Sequence, residues 1–220
     1  MNPQRLRDAL AAGNPATRLQ AALAIGTRPD AALTDALVTR AGLEPDFFVR
    51  DMLTWALTRL PADVTVPRLR AELTAERAQA RGQALHTLSK IGDRSAWPAI
   101  TRSLLHDVDD EVARTAWRTA VVLVPDAERA ALAAELAAEF GRGDREVRLS
   151  LSRAIVALDD VAGPVLAAAR THPDPAVRAH ARATERLLHD PDAGFDLSVH
   201  EATRVVALDH AGQGAAGADR

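Results

Sequence analysis

An arginine recurs along this chain at a spacing that few folds can use. It stands at positions 18, 50, 81, 148 and 178, with Ala113 in the same place once, so the steps are 32, 31, 32, 35 and 30 residues. The clearest copy of the surrounding unit is the stretch 143–158, GDREVRLSLSRAIVAL. There Asp144 is placed to accept the free amides of a starting helix, and Val147, Leu151, Ala154, Ile155 and Leu158 recur at helical intervals. Turned at roughly 100° per residue, those five fall within an arc of about 100°, the width of a core-facing helix.

The same template finds the other copies. Val49-Arg50 leads Leu53, Ala56 and Leu57, and Val177-Arg178 leads Ala181, Thr184 and Leu188. Thr17-Arg18, Ala80-Arg81 and Val112-Ala113 open weaker ones. Each periodic helix is preceded by a shorter one, and a unit of this size cannot bury its apolar face alone, so neighbours must stack. The pattern therefore predicts about six helix pairs in a single domain over 1–210. Ser198 and Glu201 form a capping-box pattern before a terminal helix over 202–208, and the Gly/Ala-rich tail 211–220 has nothing to bury and is expected to be disordered.

The proline and aspartate before a Val-Arg, the alanine-rich second helix and the trailing Ile25-Gly26 and Ile91-Gly92 resemble HEAT repeats. The resemblance covers roughly residues 1–190 and implies an all-α fold, a right-handed α-solenoid of the armadillo-like kind whose second helices line a concave side. It is specific for fold rather than activity. Composition agrees, being rich in alanine with 3% aromatic residues and no tyrosine. Several first helices have irregular openings. Pro98 is expected in the first turn of a helix over 96–106 capped by Ser95.

Several chemistries are excluded. Without cysteine there is no disulfide, thiol nucleophile or cysteine-zinc site, and the seven histidines form no HExxH or similar ligand set. His172, His180 and His189 read as lone surface residues. No GxSxG, Walker A or GxGxxG segment occurs, so no cofactor, metal or catalytic group is assigned. The start MNPQRLRDAL lacks a signal-peptide run, and no window reaches the roughly 18 apolar residues that span a bilayer. A cytoplasmic protein without membrane contact is expected. The net charge of −3 gives no wholesale basic coat for nucleic acid.

Binding is the class left, and the outward positions of the second helices carry the candidates. Two residues after the template's first apolar position come Asp51 and Arg114, and six after it come Trp55, His86, Arg118 and Arg153. Tryptophan beside guanidinium groups suits a protein or peptide partner, since arginine grips carboxylates with two bonds and stacks on rings. The plainer reading is that arginine is the default cation here, Lys90 being the single lysine, and that many arginines are solvated surface. Arg18, Arg50, Arg148 and Arg178 are read as capping or ion-pair groups, Trp97 and Trp117 as packing between repeats, and Phe47 and Phe48 as hydrophobic staples.

The alternative is nucleic acid. Residues 46–57, DFFVRDMLTWAL, resemble a helix of the HEAT-like DNA alkylation-repair glycosylases. That likeness implies Trp55 near a damaged base with Asp51 one turn away, but the family's separate Trp-Asp constellation is not found in this sequence. A bilin-lyase-like HEAT protein would need a tetrapyrrole pocket, for which no residue argues.

Overall fold

A computed structural model describes residues 2–190, and among them every regular element is a helix. Contacts gather the chain into two compact units, Met1–Leu123 and Val124–Arg220. The expected helix over 202–208 and the tail 211–220 lie outside the described residues.

Unit 1 begins with α1 (Pro3–Leu10) and α2 (Pro15–Thr27), followed by α3 (Thr34–Ala41) and α4 (Phe47–Thr58). Next come α5 (Ala62–Glu72) and α6 (Ala78–Ile91), then α7 (Arg102–Leu105) and α8 (Asp110–Leu123). Two layers result. The first helices pack in the order α1, α3, α5, and the second helices in the order α2, α4, α6, α8, each pair also packing internally. Unit 2 repeats the scheme with α9 (Arg129–Ala137), α10 (Arg145–Val156), α11 (Ala162–Ala169) and α12 (Pro175–His189); α9 lies on α11 and α10 on α12. Among the described residues the fold is all-α, each unit a stack of helix pairs, as the period predicts.

Helix starts follow from short polar side chains. Asn14, Asp46, Asp144 and Asp174 each accept a backbone amide of the turn they open. Burial follows the template as well: Leu53, Ala56 and Leu57 of α4 are wholly enclosed, and so are Ala116, Trp117 and Ala120 of α8. Trp117 donates its indole N–H to the Leu105 carbonyl at 2.8 Å, which satisfies its one polar atom inside the core.

Three local expectations need correction. The helix over 96–106 is broken into a 3-10 segment, Arg94–Ala99, and the single turn of α7. Pro98 has no amide to donate and disfavours helical geometry in the residue before it, and the cap is Asp93, which accepts from the Ser95 amide. Phe47 and Phe48 are not staples: they stand 66% and 72% exposed and meet each other edge to face. His180 is not a surface residue but is 1% exposed in the core of unit 2.

Candidate functional site

The recurring arginine is first a structural device. From the fourth position after the helix cap, its Nη1 reaches back to the two carbonyls just before the helix. Arg18 binds the carbonyls of Ala12 and Gly13, Arg50 those of Glu44 and Pro45, Arg81 those of Ala75 and Glu76, and Arg178 those of His172 and Pro173, all within 2.7–2.9 Å. Each closes the turn between two helices. The capping role read from sequence for Arg18, Arg50, Arg148 and Arg178 is therefore present in three of them; Arg148 makes no such bond among the described residues, and its Nε is buried without a partner.

The other edge of the guanidinium, Nε and Nη2, ties one pair to the next. Arg18 holds both oxygens of Glu44 at 2.6 Å, and Arg81 holds those of Asp107 at 2.8 and 2.9 Å. Both acids sit two residues before a helix cap and also accept the cap residue's own amide, from Asp46 and Asp109. Glu44 is fully enclosed and takes a fourth donor from Arg40 at 2.8 Å. Burial alone would raise its pKa; the bonds from Arg18, Asp46 and Arg40 outweigh that and hold it at about 2.

Between these rungs a groove of about 580 Å³ crosses α4, α6 and α8. Its walls include Asp51, Thr54, Gln83, His86, Thr115 and Arg118. Three of the expected binding residues therefore meet here, Asp51 from the earlier outward offset and His86 and Arg118 from the later one, because α4, α6 and α8 are successive neighbours. Gln83 donates to the Thr54 hydroxyl at 2.7 Å and Arg118 to the Thr115 hydroxyl at 3.0 Å. Among the described residues, the His86 imidazole and the Asp51 carboxylate have no hydrogen-bond or ion-pair partner. Burial lowers the His86 pKa, Lys90 and Arg118 push it the same way, and Asp51 opposes them. The balance favours the neutral ring.

The remaining expected residues stand elsewhere. Arg114 pairs with Glu111 at 2.6 Å on the same helix. Arg153 is an exposed residue of α10, in unit 2. Trp55 is 36% exposed and does not line the groove; its ring lies on the α2 backbone at Gly26, where an added Cβ would come within 2.2 Å of the indole. Gly26 is required there for close approach, and Trp55 closes the seam between α2 and α4. Sequence reasoning missed Arg50 and Phe47, which do line the groove, with the Arg50 guanidinium carbon 6.0 Å from the Phe47 ring centre.

Unit 2 holds a buried polar cluster of another kind. The Gly141 amide donates to His180 Nδ1 at 3.1 Å, so the ring proton is on Nε2, which reaches the Arg148 carbonyl and Ser152 Oγ, both at 3.0 Å. Ser152 and Thr184 hydroxyls are 2.7 Å apart, and Thr184 donates to the His180 carbonyl. The Phe140 ring meets the imidazole edge to face. Burial pushes the His180 pKa down to about 4; the bond to the Arg148 carbonyl opposes this, and the Arg148 charge adds to it. Serine and histidine touch here as in a nucleophilic pair, but both are enclosed, so the cluster ties α10 to α12.

Among the described residues no group of three or more histidines and carboxylates is placed to hold a metal ion, and no helix is long and apolar enough to cross a membrane. The sequence matches no protein-family model and no curated protein. Solved structures do show likeness. An engineered protein is 20% identical over 92% of this chain and 98% of its own, with a TM-score of 0.47. The complex of CpcE and CpcF of the phycocyanin lyase from Nostoc sp. PCC7120 is 18% identical over 96% of this chain and 88% of that one, with a TM-score of 0.49. A second engineered protein is 20% identical over 92% of this chain and 67% of its own, with a TM-score of 0.45. At those values the likeness carries no argument about function.

Proposed function

We propose that the chain is a non-enzymatic, cytoplasmic adaptor of the HEAT type, which docks a segment of a protein partner in the groove across α4, α6 and α8. The observation that carries this reading is the combination of unpartnered Asp51 and His86 with exposed Arg118 inside the groove, and the paired aromatic rings of Phe47 and Phe48 at its Phe47 end. Polar groups left open in a cleft supply orientation, and exposed aromatic side chains supply area at small entropic cost. An exposed pair of phenylalanines with no packing role is the informative departure from an ordinary surface.

Duplex DNA suits the groove less well. A phosphate track needs several uncommitted cations in line. Here Arg114 is committed to Glu111, and the wall sets Arg50 and Arg118 against Asp51, Asp109 and Glu111. A balanced wall favours a peptide with both kinds of group.

The test is affinity capture with the wild-type chain and with a Phe47→Ala, Arg118→Glu variant, checked for unchanged helicity. A protein recovered by the wild type and lost from the variant supports the groove. Equal recovery by both removes it from the account, and a gel shift with duplex DNA that weakens steeply with salt would replace the partner by nucleic acid.

A further inference from the structure

The three arginine rungs of unit 1 are not equivalent. Arg18, Arg50 and Arg81 occupy the same register, four residues after a helix cap, and each closes its own turn through Nη1. For Arg18 and Arg81 the second edge is filled by a carboxylate two residues before the cap of the next second helix, Glu44 before Asp46 and Asp107 before Asp109. For Arg50 the next cap is Arg77, and the residue two before it is Ala75. A methyl group stands where its neighbours place a carboxylate. Glu76, next to Ala75 in sequence, is exposed and makes no ion pair among the described residues, and no carboxylate among them pairs with Arg50.

We infer that the open edge of Arg50 is a carboxylate subsite: an acidic side chain or C-terminal carboxylate of a peptide partner sits over Ala75 and takes the two bonds that Glu44 and Asp107 make to the rungs on either side. Arg50 lines the groove and its guanidinium lies against Phe47, so the subsite has an anion-binding fork and an apolar wall. The two filled rungs define the ligand chemistry, because the same fork in the same setting selects a planar carboxylate in both. This assignment rests on the groove reading above and specifies the acidic end of the segment that the groove takes.

The test uses the full chain labelled with ¹⁵N and reads the Arg50 Nε–H signal while an acetylated, amidated tetraglutamate peptide is added. Its tetraglutamine analogue and inorganic phosphate serve as parallel probes. A saturating downfield shift with tetraglutamate and none with tetraglutamine is expected. Ala75→Asp fills the vacancy from within, so its Arg50 signal should already resemble those of Arg18 and Arg81 and the peptide should bind about tenfold more weakly or worse. Arg50→Lys keeps the charge without the fork and should weaken binding as well. Undiminished peptide binding in Ala75→Asp, no shift in the wild type, or a response to phosphate stronger than to tetraglutamate would overturn the assignment. If Ala75→Asp binds a captured partner normally while Arg118→Glu does not, the groove stands and the Arg50 subsite falls. If tetraglutamate titrates Arg50 but the Phe47→Ala, Arg118→Glu variant captures partner as well as the wild type, the subsite stands and the wider groove falls.

Discussion

The two units hold their second helices together with opposite chemistry. In unit 1 the enclosed anchors are ionic, Arg18 with Glu44 being buried on both sides and Arg81 with Asp107 nearly so, while neutral bonds from Gln83 to Thr54 and from Thr119 to the Leu85 carbonyl supplement them. In unit 2 the equivalent of Glu44, two residues before the cap Asp174, is His172; it accepts the Asp174 amide in the same way but offers no negative charge. The Nε of Arg148, the rung below it, is buried without a partner. The tie between α10 and α12 comes instead from the neutral cluster of His180, Ser152 and Thr184. One repeat pattern therefore tolerates two anchors, and the change of anchor leaves one buried donor, Arg148 Nε, unsatisfied. The anchors differ in what breaks them.

The largest difference should come from Glu44→Gln. It leaves the enclosed guanidinium of Arg18 without a countercharge, which costs about 3–5 kcal/mol for a buried pair. Amide exchange resolved by residue should show lost protection in α2 and α4 and little change in α10 and α12; equal loss in both would break the division into separately anchored units.

Acid should act in the reverse sense. His180 has a folded pKa of about 4, below the ordinary 6.5, so its contribution is complete above pH 6.5 and is lost as pH falls from there through 4. A gap of that size corresponds to about 3 kcal/mol. Protonation also puts a second donor against the Gly141 amide. Glu44, held at about 2 against an ordinary 4.5, keeps its contribution until pH falls below 4.5. Chemical denaturation at pH 4.5 rather than pH 7 should therefore find unit 2 weakened more than unit 1, where the half-buried His86 acts in the same direction, and His180→Asn should flatten the dependence of unit 2.

A smaller effect isolates Trp55. Gly26→Ala places a methyl within 2.2 Å of the indole, and overpacking of this kind costs about 1–3 kcal/mol. The fluorescence of Trp55 should shift to the red as the ring is lifted from α2; an unshifted spectrum would mean that the seam is loose. The smallest effect is expected from Arg114→Ala, whose partner Glu111 is 75% exposed, and a melting experiment should find about 0.5 kcal/mol or less.

These contrasts also mark what the sequence could carry. The helix pairs were legible because apolar spacing and cap residues are local: 143–158 alone defines α10, and the same template places α4 and α12. The capping role of Arg18 and Arg50 was legible for the same reason. What escaped depends on neighbours one repeat away. Trp55 at an outward offset reads as a free anchor until α2 is known to pass it at Gly26. His180 has charged neighbours in sequence, yet the α10–α12 packing encloses it. Phe47 and Phe48 fit a staple by position, but both rings stand exposed and meet only each other edge to face and the Arg50 guanidinium. Arg50 seemed one more rung, since the missing carboxylate shows only when Ala75 is aligned with Glu44 and Asp107 by helix cap instead of by residue count.

The central claim is that unit 1 fills its first and third arginine forks from within and leaves the middle one open to a partner. Side-chain ¹⁵N spectra of the ligand-free chain near pH 6 test it directly, through the Nε–H exchange of Arg18, Arg50 and Arg81. Slow exchange at Arg18 and Arg81 with fast exchange at Arg50 is the expected result. Equal protection of all three would contradict it, because Arg50 would then already hold an internal carboxylate such as that of Glu76.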